Sequence, residues 1–244
     1  MSRAPELSPL HLIPALRSHV WFASCSPEFQ EALVDRSRVV HLRSGERLFS
    51  HGPDDESHLL SLYVEPYQWF GEISLIDQLP RSQDAMADGP ASVLVASRAS
   101  LEPWLNRHPQ YWRDVARLAC MKLRVLVVMM EDHATLALDQ QLARRLLMTS
   151  TNFAMNYPMS FKRHLRLPQE YLARMMGVSR QTINRALKSL AGEGLIAVRY
   201  ADIELLDIPA LMRRAGPMNS AFIESLKAMG ATADRSMGKG PMPD

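Results

Sequence analysis

Between Leu167 and Leu190 the chain places two short helical segments on either side of one glycine, and no other stretch constrains the fold as tightly. Pro168 suits the first turn of a helix, where a missing N–H costs nothing. Gly177 can take the left-handed conformation that a tight helix–helix turn needs, and Ser179 can cap the helix that follows. Ala173 is small enough to let the two helices approach. Projected at about 100° per residue, Ser179 to Leu190 carries Arg180, Gln181, Asn184, Arg185 and Lys188 on one arc. Ile183, Ala186, Leu187 and Leu190 fall on another, centred about 140° away. One face packs and the other meets solvent or a ligand.

The side chains on the polar arc are those that read base edges. Arginine can pair both acceptors of guanine, and Gln or Asn can pair adenine. Ser179, Thr182 and Lys188 are better placed as phosphate contacts, which position a protein on a duplex without specifying sequence. A solvated basic surface helix would share the charge, but not the coincidence of turn glycine, cap, small contact residue and sided face. After it, Gly194 to Leu206 reads as two short strands around a turn near Ala201, a wing. Charge is distributed to match: residues 1–138 hold 13 Lys/Arg against 17 Asp/Glu, and residues 139–216 hold 12 against 6. An acidic front joined to a basic back fits a sensor fused to a module that binds a polyanion.

Upstream, Val39 to Ser97 consists of short apolar runs broken by turn formers such as Ser44-Gly45, Gly52-Pro53-Asp54 and Gly89-Pro90, which favours a small β-rich domain. Pro27 to Ser37 reads as a short helix before it. From Pro109 to about Leu138 there is no internal Gly or Pro, and Tyr111, Val115, Leu118, Val125, Met129 and Leu136 recur at helical spacing. A second apolar stripe, Trp112, Ala119, Leu123, Leu126 and Met130, runs alongside. A helix apolar on two sides must be covered on two sides, and the simplest second cover is the same helix of another subunit. Thr135 to Asp139 reads as a hinge, Leu142 to Phe153 as a further helix, and Ala231 to Asp244 as a disordered end.

These motifs resemble the cyclic-AMP receptor protein/FNR (Crp/Fnr) family of bacterial transcription regulators. The similarity covers most of residues 22–212 and is carried by Gly177-Val178-Ser179-Arg180-Gln181-Thr182-Ile183 with Gly194-Leu195-Ile196, and by Trp69 to Leu75 with Leu79-Pro80-Arg81-Ser82. It implies an α+β chain: a β-roll sensor over 1–108, shortened around Asp54 to Leu62, a dimerisation helix over 109–138, a winged helix-turn-helix over 139–216 and a tail over 217–244. It also implies a homodimer on double-stranded DNA, with RNA polymerase as a further partner. In members that bind cyclic nucleotides, a Phe-Gly-Glu and Arg-Ser cassette holds a ligand such as cyclic AMP, and the matching positions are Gly71, Glu72, Arg81 and Ser82. Gln83 and Tyr67 depart from the family pattern. The cassette therefore has two readings, a cyclic-nucleotide site or an architectural element held by an Arg81–Glu72 ion pair.

Other classes find little support. There is no Gly-x-Ser-x-Gly elbow, phosphate-binding glycine loop, dinucleotide fingerprint or His-Glu-x-x-His, so an enzyme is not expected. Two cysteines, Cys25 and Cys120, and eight histidines without an i, i+4 pair on an expected helix leave metal and haem unsupported. The longest apolar run, Val125 to Met130, is far short of the roughly 20 residues that span a bilayer, and the expected location is the cytoplasm.

Overall fold

Serine caps and turn glycines set the element boundaries along much of the chain. The computed structural model describes residues 9–49, 64–81, 83–199 and 201–238. Its contacts form two units, one from the described residues of Met1–Asp55, Tyr67–Lys122 and Ala231–Asp244, the other from those of Glu56–Pro66 and Leu123–Gly230.

In the first unit, short helices α1 (Ile13–Leu16) and α2 (Val20–Ser24) precede α3 (Pro27–Asp35). Ser26 starts α3 by accepting a hydrogen bond from the Phe29 N–H at 3.2 Å, with Pro27 in the first turn where no donor is missed. The turn-rich stretch folds as antiparallel ribbons: β1 (Ser37–Leu42) pairs with β4 (Ala91–Ala96), and β2 (Arg47–Phe49) with β3 (Ala85–Met86). The one-turn helix α4 (Ile73–Ile76) lies between β2 and β3 in sequence, and Ser97 caps α5 (Arg98–Arg107) after β4. The core is aromatic: Phe29, fully buried, stacks on Tyr111 with ring centres 5.5 Å apart, and Trp104 stacks on Tyr111 at 5.1 Å. Burial of each such ring contributes about 2–3 kcal/mol. Asp54 to Leu62, where the resemblance implies a shortened roll, lies outside the described residues.

The long helix α6 runs from Trp112 to Thr135 after a single 3-10 turn at Pro109–Tyr111. Its 24 residues span about 36 Å. One stripe is buried, through Val115, Leu118, Met121, Val125 and Val128. The other is bare: Leu123, Leu126, Val127 and Met130 are 49–72 % exposed.

The second unit is built on α7 (Leu138–Ser150), which starts four residues before the expected Leu142. It continues through β5 (His164–Leu165), α8 (Gln169–Met176), α9 (Arg180–Gly192), β6 (Ile196–Arg199), β7 (Asp202–Leu205) and α10 (Ile208–Ala215). The strands form one antiparallel sheet in the order β5-β7-β6. Leu142, Leu146, Leu172, Ile183, Leu187, Leu190, Leu205 and Leu211 close its core at no more than 1 % exposure.

The expected disorder from Ala231 needs correction: helix α11 runs from Ser220 to Ser236. Its Ala, Leu, Met, Lys and Glu residues are strong helix formers, and Ala233 is buried near its end. Composition alone concealed this, because Gly230 and the Met-Gly-Pro-rich end that follows resemble linker sequence. Residues 239–244 lie outside the described residues.

Candidate nucleic-acid interface

The turn between α8 and α9 follows from four residues. Pro168 stands immediately before α8, one position earlier than expected, in an extended conformation. Gly177 adopts φ +65°, the left-handed geometry that ends α8, and the Val178 N–H donates back to the Ala173 carbonyl at 3.0 Å. Ser179 accepts from the Thr182 N–H at 3.1 Å and so opens α9. Ala173 is buried, as a close helix crossing requires.

The two arcs of α9 separate as the pattern predicts. Ile183, Ala186, Leu187 and Leu190 are buried. Ser179, Arg180, Gln181, Arg185 and Lys188 are exposed, and Thr182 and Asn184 are half-buried. Arg180, Gln181, Asn184, Arg185 and Lys188 line one open depression of about 430 Å³. Asn184 is tied down: its Nδ2 donates to Oε1 of Gln169, the first residue of α8, at 3.0 Å.

Several cations elsewhere in this unit are neutralised within the chain. Arg144 pairs with Asp132, Arg214 with Asp139 and Glu193, and Arg199 with Glu204. Arg180, Arg185 and Lys188 have no such counterion among the described residues. These are the groups a polyanion would meet.

The wing forms as expected, with β6 and β7 joined through a turn in which Ala201 takes φ +52°. Sequence reasoning missed β5, which adds a third strand beside β7 and exposes Arg163, His164 and Arg166. His164 Nδ1 lies 3.1 Å from an Asp202 carboxylate oxygen. The alternation of buried Leu165 and Leu167 around exposed Arg166 was its signal.

In the first unit, the effector cassette corrects an expectation. Glu72, 5 % exposed, pairs with Lys122 of α6 at 2.7 Å and not with Arg81. A buried carboxylate needs a charge partner, and the long helix supplies it. Burial pulls the Lys122 ammonium below its usual range, and Glu72 works against that shift. Arg81 Nη1 instead donates to the Gly71 carbonyl at 2.8 Å, with its guanidinium 4.4 Å from the centre of the Phe49 ring. Gly71 has φ +94°, and a Cβ there would lie 2.7 Å from Arg81 Nη1. Ser82 lies outside the described residues. So arranged, the Glu72 carboxylate and one Arg81 N–H are both engaged by the protein.

A family model described as a Crp-like helix-turn-helix domain matches residues 140–214, which include α8, the turn, α9 and the wing. Over 199 residues the chain is 26 % identical to the CRP-like cAMP-activated global transcriptional regulator of Mycobacterium tuberculosis, across 82 % of this chain and 85 % of that protein. The chain carries a Crp-like helix-turn-helix domain and is similar to Crp/Fnr regulators along most of its length. Among solved structures, the chain shares its fold with the Thermus thermophilus regulator TTHA1359, with a TM-score of 0.56 and 23 % identity, covering 75 % of this chain and 100 % of that one. It also resembles CLP, the c-di-GMP responsive regulator of Xanthomonas campestris, with a TM-score of 0.55 and 19 % identity, covering 72 % and 97 % of the respective chains. Its Crp-like helix-turn-helix domain makes it a DNA-binding transcription regulator of the Crp/Fnr type. Among the described residues, no helix is long and apolar enough to cross a membrane.

Proposed function

We propose that this Crp/Fnr regulator works as a homodimer that reads a roughly palindromic DNA site with α9. The observation that carries this reading is the uncompensated cationic face of that helix, set against the paired arginines around it. Arg180, Gln181, Asn184 and Arg185 address base edges in the major groove, while Ser179, Thr182 and Lys188 hold phosphates. The bare stripe of α6 supports the dimer. Ala116, Cys120, Leu123, Val127, Met130 and Ala134 follow one another at intervals of four and three, the spacing of a coiled-coil seam. Two such subunits would set their recognition helices about 34 Å apart, in successive major grooves.

The proposed organisation is a sensor over 1–108, a dimerisation helix over 109–138, a reading head over 139–216 and a tail over 217–244. The protein acts in the cytoplasm, without catalysis of its own, and RNA polymerase is its partner at promoters. The committed states of Glu72 and Arg81 favour an architectural cassette, so that control does not pass through cyclic AMP there. Calorimetric titration with cyclic AMP or cyclic GMP should give no saturable heat. Saturable binding that Arg81→Ala abolishes would overturn this part of the proposal.

The DNA reading is tested by selecting bound duplexes from a randomised pool and measuring affinity against salt. Arg180→Ala should relax preference at one position per half-site. Lys188→Ala should weaken all sequences alike and lower the salt slope by about 0.9 per subunit. Equal effects from the two variants would contradict the assigned roles.

A further inference from the structure

Asn184 differs from its neighbours on the α9 face in being both half-buried and bonded to the preceding helix. The bond to Gln169 has a direction: Nδ2 donates and Gln169 Oε1 accepts, at 3.0 Å. It takes one of the two Nδ2 hydrogens and, with Gln169 Oε1 facing Asn184, leaves Oδ1 as the free end of the amide. Oδ1 has no partner among the described residues and belongs to a side chain that lines the depression with Arg180 and Arg185.

We infer that Gln169 is a specificity-determining positioning residue: it holds the Asn184 amide so that Oδ1 is the group offered to DNA. This rests on the reading of α9 as the recognition helix. An acceptor demands a donor. In the major groove only adenine N6 and cytosine N4 carry amino hydrogens, whereas guanine presents O6 and N7, and thymine presents O4 and a methyl group. Asn184 therefore selects an amino base over a keto base at its position. Adenine is the better of the two, because the second Nδ2 hydrogen remains for its N7. An untethered asparagine could rotate its amide by 180° and accept either class. The tether turns an adaptable residue into a one-way reader.

The experiment uses the full-length protein and a pool of duplexes with a randomised 26-base-pair core, followed by competition on the enriched site. The position that loses preference in Asn184→Ala identifies the base in question. Wild type should favour A or C there by about tenfold over G or T, within the range of one good base-edge contact. Gln169→Leu should cut that ratio to about twofold while leaving the other positions of the site unchanged. Gln169→Glu retains an acceptor for Nδ2 and should keep the amino preference. A wild-type preference for G or T at that position, or a Gln169→Leu profile identical to wild type, would overturn the inference and leave the recognition helix in place. Failure of wild type to enrich any sequence would overturn the recognition-helix reading itself, and this inference with it.

Discussion

His19 is 2 % exposed, and neither of its ring nitrogens meets a partner among the described residues. Burial first, and the nearby Lys122 ammonium second, pull its pKa from 6.5 down to about 3. The native state therefore keeps the ring neutral while the unfolded chain protonates it near pH 6.5. Because the folded value is the lower one, this contribution is complete above about pH 6.5 and is lost as pH falls toward 3. Urea titrations between pH 7.5 and 5 should show stability declining by up to about 1.4 kcal/mol per pH unit below the unfolded value. His19→Leu should flatten that decline, and an unchanged slope in the variant would place the acid sensitivity elsewhere. Gly71 offers a second test at the same scale. Its left-handed φ means that Gly71→Ala should destabilise the protein by about 1–3 kcal/mol in thermal melts.

Where α6 meets α7, the two-residue link Leu136–Ala137 falls inside the segment the sequence marks as a hinge. It is bridged by a buried clasp. Arg144 pairs with Asp132, both side chains being 8 % exposed, and also donates to the Ala215 and Pro217 carbonyls. Gln141 Nε2 donates to the Leu136 carbonyl at 2.8 Å. Any swing at this link must first break the Asp132–Arg144 pair. Asp132→Ala would leave the guanidinium buried and uncompensated, and chemical denaturation should show a loss of about 3–5 kcal/mol. Asp132→Leu combined with Arg144→Met, which removes both charges, should lose less than the single change. The break between the two helices was legible in the sequence and the clasp was not. The Gly177 turn and Ser179 cap are decided within a few neighbouring residues, so pattern reveals them. Asp132–Arg144, Gln169–Asn184 and Glu72–Lys122 join residues 12, 15 and 50 apart. Those pairings depend on packing that no local periodicity encodes. Strand β5 escaped notice because its alternation, Leu165-Arg166-Leu167, is too short to establish a period.

For the whole molecule, the bare stripe of α6 predicts self-association in solution. Leu123→Asp with Val127→Asp should convert a dimer to a monomer in sedimentation velocity, and affinity for a palindromic duplex should fall with it. Cys120 provides an independent check. It is exposed at a seam position, where a parallel pair of helices would bring it opposite its own copy within disulfide reach. Mild oxidation should give a covalent dimer on a non-reducing gel, and Cys120→Ser should abolish it. Cys25 is buried, and burial raises its thiol pKa, so it should not contribute.

The free cations of α9 have one more consequence, which concerns where the protein spends its time. Arg185 and Lys188 lie one turn apart with no counterion of their own among the described residues, and they repel each other in the absence of DNA. Any duplex relieves that repulsion and releases condensed ions, whatever its sequence. With α9 reading DNA as proposed, the resting state is residence on DNA at large, with excursions along it by sliding and hopping. An operator must outcompete the genome, and the discrimination supplied by a few base-edge contacts matters more than the total strength of binding.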